Sequence, residues 1–361
     1  MSAPMLKVGS LLAVVLAYVL IDTRRPACVG SGAFCGQPPA LECNTSRGAR
    51  ELRTASSLAL SATQIQQYER DGFVIARGLF TEEEAEALLQ AASTDETVSR
   101  RAHGRKDAGG YTSKLSLWNV CGVNVYGAYS RAARLVDSVE RLLSTSTHTG
   151  GSEGLEEAYH YHTKVMIKEP YVGGAWEWHQ DYGYWYSNGN MFPRMLSAMV
   201  ALNEHTEANG ALHVLKGSHK MGRVTHTLTG DQAGADPDRI ARAKAMFEDV
   251  PVLLKPGDVL FFHCNLFHAS HRNTSPNPRW SIITAYNTRS NNPQWDHHHP
   301  RYQPLDRWSD TALLHLRGVG ITDGDGTVFM KKEEDHSAQT EKNVVAPPSL
   351  TVCEPSQVKS T

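Results

Sequence analysis

Four residues of this 361-residue chain have the types and spacing of a reaction centre: His179, Asp181, His268 and Arg279. In Trp178-His179-Gln180-Asp181 the histidine and the aspartate stand two apart. On a strand that spacing puts both side chains on one face, because strand side chains alternate with period two. An imidazole nitrogen beside a carboxylate oxygen makes two corners of a metal site. His-x-Asp alone is common, so a third ligand is required. Pro256-Gly257-Asp258 is turn chemistry, and Val259 to Phe262 is an apolar run suited to a buried strand. His263 and His268 both follow it. With His268 the set becomes two histidines and one carboxylate, a facial triad that leaves open positions on Fe(II). Arg279 opens a further apolar strand, Trp280 to Tyr286, from which a guanidinium can grip a carboxylate with two parallel bonds. Ser270 shares the face of His268 in an extended segment and offers a hydroxyl donor.

These residues need rigid strands to hold them. His162 to Pro170 reads as the strand before the His-x-Asp segment, with Tyr171-Val172-Gly173-Gly174 as a loop. Further upstream, Thr63 to Asp71 reads as a short helix stopped by Gly72, and Phe73 to Arg77 as a strand. Thr81 with Glu84 forms a capping box, and Ala85, Leu88, Leu89 and Ala92 line one face of the helix it starts. Arg100 to Gly110 is charged and glycine-rich, the pattern of a mobile loop. Lys114 to Trp118 alternates like a strand, Ala132 to Leu143 is a second amphipathic helix, and Ser144 to Gly154 is a polar loop. From Tyr159 to Asn287 strands dominate, interrupted by one helix that Asp236 caps and Pro237 opens. Many strands with Gly/Pro turns fit a mainly β fold, a double-sheet jelly roll of cupin type, with the N-terminal helices buttressing it.

Composition narrows the partners. Lys plus Arg number 36 against 38 Asp plus Glu, so no positive field recommends a nucleic acid. The first residues differ from the rest. Val8 to Ile21 is an uncharged, mostly apolar run, and as a helix it would rise ~21 Å, short of the ~30 Å hydrocarbon core. A signal peptide over residues 1–26 is therefore expected, with a signal anchor or organellar leader as alternatives. The expected location is the secretory pathway or the exterior, with membrane contact only if the segment stays uncleaved. Residues 27–60 read as a linker that carries Cys28, Cys35 and Cys43, and Asn44-Thr45-Ser46 is a glycosylation acceptor. Cys264 reads as a small core residue. The catalytic domain is expected over 61–316, and 317–361 as a mostly disordered tail.

His179-Gln180-Asp181, His268 and Arg279 resemble the Fe(II)/2-oxoglutarate dioxygenases of the phytanoyl-CoA dioxygenase family. Ala201 to Leu212, with Asn209-Gly210 inside it, and Leu215-Lys216-Gly217-Ser218-His219 also resemble that family. The likeness spans about Gln64 to Pro304. Gly173 to Trp185 is most similar to the branch that hydroxylates small phosphonates or hypophosphite, and less closely similar to ectoine hydroxylases.

The resemblance implies Fe(II) on His179, Asp181 and His268, with 2-oxoglutarate as co-substrate, O2 as oxidant and ascorbate as an admissible accessory. It implies that Arg279 holds the distal carboxylate of 2-oxoglutarate, with Ser270, Lys114 and Lys164 as further candidates for the same molecule. Trp176, Trp178, Tyr182, Tyr184 and Trp185 flank the pair, to pack the core or to wall a pocket that suits an amine. His271, Arg272 and Arg289 read as an anion-binding group near the third ligand. His297-His298-His299 reads as a surface loop. The expected substrate is a compact charged metabolite, first a small aminophosphonate or related phosphorus oxyanion and second a small zwitterionic amino acid derivative. The alternatives are an acyl-CoA hydroxylase, a metalloenzyme without 2-oxoglutarate, and a ligand-binding member of the fold that has lost its chemistry.

Overall fold

A computed structural model of the chain describes residues 59–145, 156–331 and 334–335. The expected leader, most of the linker and the Asn44 acceptor lie outside these residues, as does most of the 144–154 loop. Among the described residues two antiparallel sheets face each other, and helices cover one outer side.

The larger sheet runs β1 (Phe73–Ala76), β11 (Val259–His263), β6 (Met195–Ala201), β13 (Arg279–Thr288), β4 (Ala158–Lys168), β3 (Thr112–Val120) and β14 (Val328–Phe329), with β2 (His103–Lys106) also paired to β3. The smaller runs β10 (Asp249–Val252), β7 (Leu212–Leu215), β12 (His268–Ser270) and β5 (Trp176–His179). A hairpin of β8 (His226–Thr229) and β9 (Gln232–Ala235) stands beside them. This is the jelly roll expected from the strand pattern.

Alternation sorts the side chains of the larger sheet. Val165, Ile167, Ala198, Val200 and Ile282 pack with Leu88, Tyr126, Tyr129, Leu135 and Val139 of the helices. Their neighbours Met166, Met199 and Ile283 point the other way, to meet Trp176, Leu212 and Val214 of the smaller sheet. Both faces are covered, so these strands read as continuous apolar runs rather than polar–apolar alternation.

The helices form where the sequence places them. The first, Ala62–Asp71, ends on Gly72 at φ 81°, the left-handed stop that glycine takes without strain. The second, Glu82–Thr94, carries the Thr81/Glu84 capping box in full. Asp236 caps Pro237–Met246 as read from sequence.

Two expectations change. Arg100 to Gly110 is not a loop throughout: a short helix, Glu96–Arg101, leads into β2, which hydrogen-bonds to β3. The chain beyond 316 is not a tail as far as it is described. Val328 and Phe329 pair with Val120 and Trp118, and Phe329 meets the Trp118 ring edge-on at 5.7 Å. Two residues of strand are too short for periodicity to reveal them.

Candidate active site

The two histidines are held by adjacent strands of the smaller sheet. His179 closes β5, His268 opens β12, and the two are register partners, which brings their ring centroids to 4.0 Å. Asp181 arrives differently from the expectation. It is not on the strand but just past it, in helical backbone (φ −57°, ψ −40°) at the start of the short helix Tyr182–Trp185. The turn, rather than strand alternation, swings its carboxylate back between the rings. Asp181 Oδ1 lies 3.7 Å from His179 Nε2 and 3.9 Å from His268 Nε2. One ligand atom from each residue falls within 4.8 Å of the others, and all three residues are buried.

Each ligand is oriented from behind. His179 Nδ1 donates to the Glu177 carbonyl at 2.7 Å and His268 Nδ1 to the Leu266 carbonyl at 2.9 Å, which leaves both Nε2 lone pairs facing the centre. Tyr184 donates to Asp181 Oδ1 at 2.7 Å and Ser197 to Oδ2 at 3.0 Å. Burial opposes ionisation of Asp181, but its contact with the His179 ring and the charge of Lys164 outweigh it and hold the carboxyl well below its usual range. Burial pushes His268 down to about 3, so the ring is neutral and a ligand at physiological pH. Gln180 anchors the turn, donating to the Gly222 and Asn265 carbonyls at 2.8 Å each. His263 is not the third ligand: it packs against His219 and Tyr68, and its Nδ1 accepts from the Asn265 amide.

A second polar group lies at the end where β13 begins and β4 ends. Arg279 and Lys168 are register partners there, and they are 3% and 1% exposed. Burial lowers Arg279 to about 10, and burial together with Arg279 holds Lys168 well below the ordinary lysine range. Lys168 Nζ donates to Ser270 Oγ at 2.9 Å and to the His271 carbonyl. Arg279 Nε and Nη1 are buried with no hydrogen-bond partner. An orphaned guanidinium in a dry interior is costly, and a carboxylate is its natural complement.

Sequence reading missed Lys168. It stands one strand position short of the Glu169-Pro170 turn, and only the pairing of β4 with β13 brings it to Arg279. Gly210 makes room for this group: its φ is 79°, and a Cβ there would sit 2.2 Å from the His271 carbonyl. That is the physical content of Asn209-Gly210.

A small, largely enclosed cavity adjoins the triad. Trp176, Tyr184 and Trp185 wall it, and Lys164, His162 and Asn188 add polar atoms. Lys164, a candidate for holding 2-oxoglutarate, lines this cavity close enough to act on Asp181. Lys114 does not. It lies on the opposite face of β3 from Leu115 and Leu117, exposed, and borders an outer groove with Tyr111 and Val172. Trp178 packs against the helix Pro237–Met246 with Lys244 over its ring, and Tyr182 turns away to donate to the Asn190 carbonyl.

The expected anion-binding group also disperses. Arg289 is exposed and pairs with Glu157, Arg272 stacks on Tyr111, and the His271 ring packs on His213. Conversely, His299 is not on the surface: it is buried, stacked on Tyr161 at 4.2 Å, and lines the cavity. Cys121 and Cys264 are buried free thiols, Cys264 in the core as read from sequence.

The sequence model of the family described as phytanoyl-CoA dioxygenase (PhyH) matches residues 68–281. The chain belongs to the phytanoyl-CoA dioxygenase family. Membership makes it a dioxygenase of the iron- and 2-oxoglutarate-dependent class, and the triad and the orphaned Arg279 fit those two groups. The ectoine dioxygenase of Bordetella parapertussis is 30% identical over 249 residues, covering 64% of this chain and 77% of that one. The L-proline trans-4-hydroxylase of Streptomyces griseoviridis is 29% identical over 232 residues, covering 60% and 76%. Among solved structures, EctD from S. alaskensis with bound Fe superposes with a TM-score of 0.56 at 24% identity, covering 71% of this chain and 90% of that one. That likeness confirms the fold.

Proposed function

We propose that this member of the family hydroxylates a compact zwitterionic metabolite related to an amino acid. The orphaned guanidinium of Arg279 is the observation that carries the co-substrate half of this reading. Its Nε and Nη1 would take the distal carboxylate of 2-oxoglutarate, with Lys168 and Ser270 beside it. His179, Asp181 and His268 would hold Fe(II). When bound, the pair supplies the oxidant from O2: RH, O2 and 2-oxoglutarate become ROH, succinate and carbon dioxide.

The residues of the chain do the rest. The backbone bonds of His179 and His268 fix the tautomer that exposes Nε2, and Tyr184 and Ser197 fix the carboxylate. Trp176, Tyr184 and Trp185 give the narrow space beside the triad an aromatic wall, which leaves no room for a long acyl chain as it stands. The cavity holds charges of both signs, Lys164 and Asp335, which favours a zwitterion over a simple anion. The relatives named for ectoine and proline agree with that class. The phosphonate reading loses its main support, because His271, Arg272 and Arg289 do not line the cavity.

The test is succinate release and product mass with Fe(II), 2-oxoglutarate and four compounds: ectoine, L-proline, 2-aminoethylphosphonate and phytanoyl-CoA. Coupled hydroxylation of a zwitterion of the first two kinds is expected. Turnover of the acyl-CoA, with none on the small molecules, would overturn the reading. Secretion remains part of the proposal for the whole chain, tested by whether Asn44 acquires a glycan in a eukaryotic host.

A further inference from the structure

Two basic side chains are buried together where β4 ends and β13 begins. Arg279 and Lys168 stand directly opposite in the register, so both leave the sheet on one face, and Lys168 reaches across to Ser270 of the smaller sheet. Among the described residues neither makes an ion pair. The carboxylate whose charge acts on Lys168 is that of Asp107, and its two oxygens are taken by the backbone amides of Tyr111 and Ala175 at 2.9 and 2.7 Å.

The lysine is boxed in. Backbone presses on its stem: a Cβ on Gly173 would lie 2.3 Å from Lys168 Cγ, and one on Gly210 3.1 Å from Cδ. Held there, Nζ donates to two acceptors, Ser270 Oγ at 2.9 Å and the His271 carbonyl. A neutral amine has two N–H groups, whereas an ammonium has three. Two acceptors therefore complete the neutral form. An ammonium would keep one N–H unanswered in the interior, beside the unpartnered Nε and Nη1 of Arg279. Burial and the Arg279 charge both oppose the extra proton. The other titratable groups around the amine do not offset them. His205 is buried and neutral, pushed by burial down to about 3. The exposed His271 ring is lowered by burial and by His213, and Glu169 faces the outer groove. A carboxylate bound at Arg279 reverses the balance, because it adds both a third acceptor and a negative charge beside the amine.

We propose that Lys168 is a second anchor for the distal carboxylate of 2-oxoglutarate, neutral without the co-substrate and converted to the ammonium as that carboxylate binds, so that each co-substrate enters with one proton. This rests on the reading that Arg279 takes that carboxylate, and deepens it. The proton comes from solvent, the amine lone pair receives it, and the new N–H points to a carboxylate oxygen.

Calorimetry of 2-oxoglutarate binding to the Fe(II)-loaded full chain, without oxygen and in buffers of different ionisation enthalpy, counts the protons. At pH 8 wild type should take up about one proton more per co-substrate than Lys168→Met, and its Kd should rise about tenfold per pH unit between pH 7.5 and 8.5, the slope of one linked proton. Lys168→Met should bind about tenfold more weakly at pH 7.5 and lose that slope. Lys168→Arg, which carries its charge permanently, should bind with the same low proton count as Lys168→Met. Comparison with the variants cancels protons released by water at the metal. Equal proton counts in wild type and either variant, or a wild-type Kd that stays level, would overturn the inference and leave the co-substrate reading in place. If Arg279→Met binds 2-oxoglutarate as tightly as wild type, the carboxylate sits elsewhere and both fall.

Discussion

The His179–Asp181–His268 cluster and the cavity wall beside it are held by different kinds of structure. His179 and His268 sit in register on neighbouring strands, and each ring is locked by a backbone carbonyl two residues upstream. Asp181 follows His179 by two residues and is fixed by Tyr184 and Ser197. The cavity wall is assembled from distant pieces: His162 and Lys164 from β4, Asn188 after the short helix, His299 from a loop, Met330 and Asp335 from the C-terminal segment. That last piece hangs on a two-residue strand and the Arg105 ion pair. The triad is thus held by paired strands and a turn next to them, and the cavity wall by segments brought together from distant parts of the chain.

Removing a ligand should show how much depends on the rigid part. Asp181→Ala should abolish iron binding and turnover together, with far-ultraviolet circular dichroism unchanged. Iron content measured after reconstitution checks it, and full iron occupancy in the variant would contradict the assignment. The next largest effect should come from acid. His205, His226 and His263 are pushed by burial down to about 3 from 6.5. Between those values the unfolded chain takes up protons that the folded chain refuses, so stability falls as pH drops from 6.5 toward 3. At pH 5 each should cost on the order of 2 kcal/mol. Urea midpoints at pH 7 and pH 5 test this, and equal midpoints would mean these rings are solvated.

The same contrast decides what the sequence revealed. The clustering of His179, Asp181 and His268 was legible because a few neighbouring residues and two short strands place them, and the caps at Thr81 and Asp236 because Thr or Asp at a helix start acts locally. Arg279 was legible as a buried cation because it opens an apolar strand. Lys168 was not, since its meaning depends on a partner across the sheet. Lys114 was misplaced for a related reason: β3 is buried on both faces in its middle, so alternation alone does not say which face meets the cavity. His299 and Asp335 read as loop and tail because nothing near them in sequence shows what they pack on. Long-range pairing carries that information, and a single sequence does not display it.

Two smaller changes separate the co-substrate end from the C-terminal segment. Arg279→Met should raise the 2-oxoglutarate requirement ten- to hundredfold, the equivalent of ~1.5–3 kcal/mol for a charge-assisted contact. The apo protein should meanwhile become no less stable, since the change removes a buried guanidinium with unpartnered nitrogens. An unchanged 2-oxoglutarate KM would remove Arg279 from the site.

Arg105→Met should act on the other side of the comparison and more mildly. Arg105 is 3% exposed and holds Asp335 at 2.8 Å, so its loss removes one tie on the end of the segment while methionine keeps most of the volume. The two-residue strand should then open more often, because so few backbone bonds hold it. Amide exchange at Met330, whose N–H donates to Leu117, should quicken by about tenfold, and the substrate KM should rise roughly three- to tenfold. Iron content and the 2-oxoglutarate KM should stay at wild-type values, because the triad and Arg279 rest on other strands. Loss of iron in this variant would show that the two regions are mechanically one. An unchanged Met330 exchange rate would show that β14, not the ion pair, carries the segment.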